Sequence, residues 1–133
     1  MRKFIILVLL SSLAAAQELP EAPSQRATPK TFWLAAGAYT ASIIYDGETT
    51  VRGVQSGCVE NWNPTLYGER PGRARFYLVS AGLDGATMFA SRRLVRSNNR
   101  FLRYAGWGLM SWGTEQHLHG AIHNTGFSCS PAR

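Results

Sequence analysis

Residues 101–124, FLRYAGWGLMSWGTEQHLHGAIHN, join small and aromatic side chains in their first half to a group of ionisable side chains in their second half. Small residues allow two helices to approach closely. Glu115, His119 and His123 recur at every fourth position, a spacing that places three side chains along one side of a helix. The stretch therefore predicts a helix that carries a candidate site.

Two earlier stretches open in the same way as this one. FWLAAGAY begins at residue 32 and FYLVSAGL begins at residue 76. Aromatic residues followed by small ones are typical of helices that meet a lipid boundary and then pack together. Within the second stretch, Ala81 and Gly85 have the small-x-x-x-small spacing that predicts a close helix contact. We predict an all-α fold, a membrane-embedded bundle of about three helices near 32–54, 76–95 and 101–123.

Two alternatives to this fold stay open. The dipeptides Asp46-Gly47 and Asp84-Gly85 are turn formers, which would also suit a small β-rich periplasmic binding domain built on two hairpins. The mean hydropathy of −0.13 is low for a chain that spans a membrane several times, so a compact periplasmic helical domain is the second alternative. Residues 56–75 are predicted to form a loop, in which Trp62 and Tyr67 suit a membrane interface.

The N-terminus predicts export. Arg2 and Lys3 precede an apolar run that ends in three alanines, Ala14 to Ala16, which is the pattern of a cleaved secretory signal. We predict the inner (cytoplasmic) membrane as the location, with the periplasm as the alternative. The predicted organisation is a signal peptide at 1–16, a disordered linker at 17–31, a helical membrane-associated domain at 32–127 and a tail at 128–133.

The formal net charge is +6, of which Arg2 and Lys3 of the predicted signal contribute two. Much of the excess is concentrated in five arginines around the second interhelical link: Arg92, Arg93, Arg96, Arg100 and Arg103. An exported chain rarely meets nucleic acid, whereas arginines between two apolar segments suit phospholipid headgroups. We therefore predict membrane lipid and other envelope proteins as partners, and no nucleic acid.

The Glu115, His119 and His123 stripe is a candidate metal site. Two imidazoles and a carboxylate could bind zinc or another divalent ion, with a fourth ligand from elsewhere in the chain. The alternative is a helix end whose histidines bond to water, headgroups or Glu115. Asp46 and Asp84 are candidate buried polar residues, because an acidic side chain in lipid usually faces the bundle interior.

Two further features bear on the chemistry. Cys58 and Cys129 are the two cysteines of an exported chain, so they either form a disulfide or remain two thiols. No nucleophile elbow, P-loop, dinucleotide fingerprint or Cys-x-x-Cys pair is present, and whether the protein is an enzyme stays undecided.

The segment from Asp46 and Thr50 to Cys58-x-Glu60-x-x-Asn63-Pro64 resembles small bacterial multi-helix membrane proteins of unknown function. The resemblance implies helices rather than hairpins and supplies no activity. The predicted function is a structural or interaction component of the bacterial envelope. The alternative is a metal-binding protein or metalloenzyme that uses the Glu115, His119 and His123 stripe.

Overall fold

The structure, a computed structural model, describes residues 26–60 and 63–126. Within these residues the chain forms four helices and no strand: α1 Lys30–Gln55, α2 Pro64–Tyr67, α3 Arg73–Val95 and α4 Arg100–Gly126. The predicted all-helical bundle is confirmed. Asp46-Gly47 and Asp84-Gly85 lie inside α1 and α3, so the hairpin alternative is wrong. The predicted signal peptide, the predicted linker up to residue 25 and the predicted C-terminal tail lie outside the described residues, and α1 begins at Lys30, so it includes the last two residues of that predicted linker.

Proline, glycine and asparagine set the ends of the long helices. α1 begins directly after Pro29 and ends before Gly57, whose φ of +96° suits a residue without a Cβ. α3 begins after Gly72, which occupies the N-cap position with extended backbone. The Asn99 side chain accepts a hydrogen bond at 2.8 Å from the backbone N–H of Phe101, which caps the start of α4.

Helix α4 is the central element, because it packs along both α1 and α3, whereas those two helices touch each other over a smaller area. The facing residues of α1 and α4 repeat at alternating steps of four and three, the 3.5-residue period of helices that coil around each other. On α1 these residues are Phe32, Ala36, Tyr39, Ile43, Asp46 and Thr50. On α4 they are Met110, Gly113, His117, Gly120 and Asn124, and Gly106, one step earlier in the same repeat, faces α3.

Glycines on α4 allow this close approach. A Cβ at Gly113 would lie 2.8 Å from the Tyr39 ring, and a Cβ at Gly120 would lie 2.9 Å from Asp46 Oδ1. By contrast, Ala81 and Gly85 are exposed, and a Cβ at Gly85 would meet nothing within 4 Å. The predicted small-x-x-x-small contact on α3 is therefore wrong, and the close helix contacts use glycines of α4 instead.

The link between α1 and α3 is more ordered than predicted. It contains α2, a single turn that starts at Pro64, a residue preorganised for a first helical position. Tyr67 stacks on Phe76 with ring centroids 4.7 Å apart, and only 8% of Tyr67 is exposed. Tyr67 thus belongs to the core rather than to an interface, because α2 folds back onto α3. Trp62 lies outside the described residues.

The helices do not meet the requirements for crossing a membrane. Over residues 26–60 and 63–126, none is both long enough and apolar enough to form a span. Asp46 and Glu48 interrupt α1, and Asp84 interrupts α3 between arginines at both ends. The structure therefore supports the predicted helical bundle but gives no support to its predicted membrane embedding.

Candidate functional site

His117 of α4 lies at the centre of a buried polar network. Its Nδ1 atom is 2.8 Å from Asp46 Oδ2 on α1, and its Nε2 atom is 3.1 Å from Asp84 Oδ1 on α3. Only 12% of the His117 side chain is exposed, against 16% for Asp46 and 14% for Asp84. One imidazole ring therefore connects all three long helices in the interior of the bundle.

The geometry makes His117 an imidazolium ion. A carboxylate oxygen only accepts hydrogen bonds, so both ring nitrogens must carry a proton to donate to Asp46 and Asp84. Burial lowers the pKa of His117, but the hydrogen bonds to Asp46 and Asp84 outweigh burial and raise it from 6.5 to about 9. The ring is therefore charged at neutral pH.

Asp84 has a second partner, Tyr39. The Tyr39 hydroxyl donates a hydrogen bond of 2.7 Å to Asp84 Oδ1, the same oxygen that faces His117. Burial raises the pKa of Asp84, yet the hydrogen bonds from His117 and Tyr39 leave it below its ordinary value. Burial, followed by the bond to Asp84, raises the pKa of Tyr39 strongly, so the phenol stays neutral and acts as a donor.

Asn124, two turns beyond His117, extends the network towards the end of α1. Its Nδ2 atom donates to Thr50 Oγ1 at 2.8 Å, with Thr49 Oγ1 at 3.3 Å and Asp46 Oδ1 at 3.4 Å. Hydrogen bonds thus run without a break from Thr50 through Asn124, Asp46, His117 and Asp84 to Tyr39.

The network is short of one positive charge. Two carboxylates face one imidazolium, which leaves an excess of one negative charge in the interior. Asp84 Oδ2 is also buried and has no hydrogen-bond partner among the described residues. A buried carboxylate oxygen without a partner is costly, so this centre requires its cation.

This arrangement joins the three long helices through one ring. Both nitrogens of His117 are occupied, so the ring can neither take up a proton nor bind a metal without giving up a carboxylate. A shift in the register of these helices would leave a charge of this centre unpaired.

A cavity of about 240 Å³ lies beside the network, between the second half of α1, the link that follows it, the start of α3 and the end of α4. Its described lining combines acids, amides and apolar side chains without any lysine or arginine. The lining residues are Asp46, Thr50, Gly53, Val54, Cys58, Val59, Glu60, Asn63, Tyr67, Phe76, Gln116, His117, Gly120, His123 and Asn124.

The predicted metal stripe lies on a different face. Glu115 and His119 are exposed, with His119 Nδ1 3.9 Å from Glu115 Oε1. Together with His123 they border an open groove between α1 and α4 on the outside of the bundle. In the part of the chain that the structure describes, no three His, Cys, Asp or Glu side chains converge as a metal-binding group. The three residues do lie along one side of α4, but that side faces solvent. Among the described residues, no fourth ligand lies beside them.

Cys58 is disulfide-bonded, and it lines the cavity beside the network. Cys129 lies outside the described residues, so the pairing of Cys58 with Cys129 stays a prediction.

The four-residue spacing that singled out Glu115, His119 and His123 did not identify three members of the network. Tyr39, His117 and Asn124 occupy positions of the 3.5-residue period described above, whereas the metal stripe follows a four-residue spacing. The repeat of glycine at 106, 113 and 120 is the signal in the sequence that marks the buried face.

Comparison with known proteins assigns no family to this site: no protein-family model, curated protein or solved structure matches the chain. The resemblance to small bacterial membrane proteins therefore stays a prediction.

Proposed function

We propose that this protein is a membrane-associated helical component of the cell envelope, with a structural or interaction role. The observation that carries the proposal is the distribution of polarity. Beside its apolar core, the interior contains an imidazolium, two aspartates and several hydroxyls, and large apolar side chains are also exposed on the outside of all three long helices. Leu34 is 76% exposed, Leu78 is 74% exposed and Tyr104 is 70% exposed.

Such a surface favours a partner that is itself apolar. Large contiguous apolar patches on a protein surface mark contacts with membranes or other proteins. Most polar groups of the centre bond to one another, and Asp84 Oδ2 is the member of the network without a described partner. The sequence pattern of residues 1–16 supports export, and we propose the inner membrane as the location and the periplasm as the alternative.

The end of the bundle where α3 meets α4 supplies the headgroup contact in this proposal. Five arginines lie between residues 92 and 103, and no acidic residue occurs from 85 to 114. Arg92 lies over the Trp33 ring at 5.2 Å, and Arg100 lies over the Phe101 ring at 5.0 Å. Guanidinium groups bind phosphate oxygens, and aromatic rings favour the headgroup level of a bilayer.

The opposite end of the bundle has acidic residues among its arginines. Arg73 is paired with Glu48 there, and Arg52, Arg70 and Arg75 share this end with Glu60 and Glu69. The two ends therefore predict an orientation, with the arginine-rich end towards anionic lipid. Other envelope proteins are proposed to contact the remaining apolar surface.

Vesicle flotation of the folded chain tests the proposal. We expect the protein to float with phosphatidylcholine vesicles, and to float more completely when phosphatidylglycerol is added. The double substitution Arg93→Gln and Arg100→Gln should weaken binding to the anionic vesicles by about 2 kcal/mol, since each surface cation contributes about 1 kcal/mol. The matched control, Arg52→Gln with Arg70→Gln at the opposite end, should bind like the wild type.

A folded protein that stays at the bottom of the gradient with both vesicle types would rule out membrane association. Equal binding to both vesicle types would support the apolar contact with the membrane. It would rule out the proposed contact between the arginines and anionic headgroups. In cells, an alkaline wash of the membrane fraction should release a surface-bound protein.

A further inference from the structure

The buried faces of α1 and α4 run in register towards the cavity. The Asn124 amide donates to Thr50 Oγ1 at 2.8 Å, and one turn earlier a Cβ at Gly120 would lie 2.9 Å from Asp46 Oδ1. A step of four residues along α1 thus matches a step of four residues along α4, and the two helices run in the same direction. Both of these layers line the cavity, together with the next residues of α1.

The 3.5-residue repeat on the buried face of α4 predicts one more member beyond that helix. Its last two members are Gly120 and Asn124, four residues apart, so the next step is three residues and leads to Phe127. Phe127 directly follows Gly126, the last residue of α4. One further helical residue therefore places an aromatic side chain on the same face as Asn124.

On α1, the next step of the matching repeat leads to Gly53 and Val54, which both line the cavity. A glycine there leaves room for a large ring from the facing helix, just as Gly113 of α4 leaves room for the ring of Tyr39. The register therefore places Phe127 opposite Gly53 and Val54.

The surface that Phe127 would meet is apolar. Val54, Val59, Tyr67 and Phe76 all line the cavity, and Tyr67 stacks on Phe76 with ring centroids 4.7 Å apart. Burial of another aromatic ring against this surface is favourable, because it removes apolar area from water.

Cys58 lies at the same level of the bundle. Its backbone N–H donates to the Gly53 carbonyl at 3.0 Å, so the turn after α1 brings the cysteine back beside that glycine. Cys58 is disulfide-bonded, and the sequence has one other cysteine, Cys129. Three residues separate Cys129 from the end of α4, and they span at most about 10 Å. The last turn of α4 lines the same cavity as Cys58, so this length is sufficient.

We propose that residues 127–133 dock against the end of α1 and complete the wall of the cavity, with Phe127 against Val54 and a Cys58–Cys129 disulfide as the latch. Forming this bond takes two electrons and two protons from the two thiols. A protein disulfide of an oxidising compartment accepts them and is reduced to two thiols. Reduction of the latch releases the segment and opens the cavity beside His117. The proposal concerns the bundle alone and does not depend on membrane association.

Peptide mapping tests the latch. The chain from Gln17 onwards is prepared under oxidising conditions and digested after arginine without reduction. We expect one linked pair of peptides from a monomer, with Cys58 in one peptide and Cys129 in the other. A disulfide between two copies of the chain, or two free thiols in the oxidised protein, would overturn the proposal.

NMR of the oxidised protein tests the docking of Phe127. The ring current of Phe127 should displace the methyl signals of Val54, so Phe127→Ala, which retains both cysteines, should move these signals. The matched control is Phe101→Ala, which removes an exposed phenylalanine at the other end of α4 and should leave them in place. Val54 signals that do not respond to Phe127→Ala would show that the segment docks elsewhere.

Reduction of the wild type with a dithiol needs no substitution. The N–H groups of Gly57 and Cys58 bond to the carbonyls of Val54 and Gly53, both at 3.0 Å. Their hydrogen exchange should become about tenfold faster after reduction, because the turn loses its covalent link to the C-terminal segment. Cys129→Ser should exchange like the reduced wild type, with circular dichroism as the check that both are folded. Equal exchange rates before and after reduction would overturn the role of the disulfide as a latch.

Discussion

Helix α1 contributes one acidic residue to each of two ionic networks. The two residues are only two positions apart in the sequence. Asp46 points into the bundle and meets His117 at 2.8 Å, where both side chains are less than a fifth exposed. Glu48 points outward and meets Arg73 at 2.6 Å, where the arginine side chain is 58% exposed. Each network joins α1 to another helix through a short charged hydrogen bond.

The comparison separates bond length from energetic importance. Water and salt screen the outer pair, so forming it gains little over two solvated charges. The inner charges have lost their hydration, and each depends on its partner to remain charged inside the bundle. Distances alone would predict that the outer pair contributes more to stability. Burial predicts that the inner network contributes far more than the outer pair.

Removal of the central cation should have the largest effect. His117→Ala leaves Asp46 and Asp84 buried without a counter-charge, so we expect the free energy of unfolding to fall by about 3–5 kcal/mol. The matched control is His119→Ala on the exposed side of the same helix, which should change it by less than about 0.5 kcal/mol. Urea unfolding followed by circular dichroism measures both. Similar losses in the two variants would mean that the inner network does not hold the helices.

A rise in pH should weaken the inner network in the intact protein. The pKa of His117 is about 9 in the fold and 6.5 ordinarily, so the ring adds stability that is complete below about pH 6.5. That stability is lost as the pH rises through 9, and its size is on the order of 1–3 kcal/mol. Unfolding measured at intervals from pH 6 to 10 should show this decline.

The variant His117→Gln serves as the control for the pH experiment. It has no ring to deprotonate at this position, so its stability should change less over the same pH interval. An equally steep decline in the variant would assign the pH dependence to other groups.

A single methyl group placed against the inner network should have a smaller effect. In Gly120→Ala the new Cβ lies 2.9 Å from Asp46 Oδ1, and His117 and Asn124 hold that carboxylate in place. Overpacking costs about 1–3 kcal/mol, while alanine gains about 1 kcal/mol in helix propensity, so we expect a net loss of up to about 2 kcal/mol. Thermal or urea unfolding measures the difference.

For the control variant we expect the opposite change in stability. Gly108 lies on the same helix, and a Cβ there would meet nothing within 4 Å. Gly108→Ala should therefore stabilise the protein by about 0.5–1 kcal/mol. If both alanines stabilise, the contact at Gly120 is loose enough to absorb a methyl group.

The three long helices were predictable from the sequence because their ends carry strong signals. Predicted bounds of 32–54, 76–95 and 101–123 compare with Lys30–Gln55, Arg73–Val95 and Arg100–Gly126. Proline and glycine before α3, and the arginines around the α3–α4 link, mark those ends. The short helix α2 was not predicted, since four residues show no period.

The site was harder to predict, because both faces of α4 carry ionisable residues. Glu115 and His119 have regular spacing but face outward, whereas His117 faces inward. The glycine repeat of α4 marks the face that contains His117, but the apolar residues of α4 do not concentrate on that face, so hydrophobicity does not show which histidine is buried. The partners of His117 lie 71 and 33 residues away in sequence, a distance that no local pattern spans.

Loss of the outer network should have the smallest effect, and the opposite pH dependence. Hydrogen bonds from Arg73 and then Tyr77 lower the pKa of Glu48 from 4.5 to about 2. Its contribution is therefore present above about pH 4.5 and is lost as the pH falls towards 2. Glu48→Gln should lower the urea midpoint less than Gly120→Ala does, and 1 M salt should shrink the difference further. A loss as large as that of His117→Ala would mean that burial is not what distinguishes the two networks.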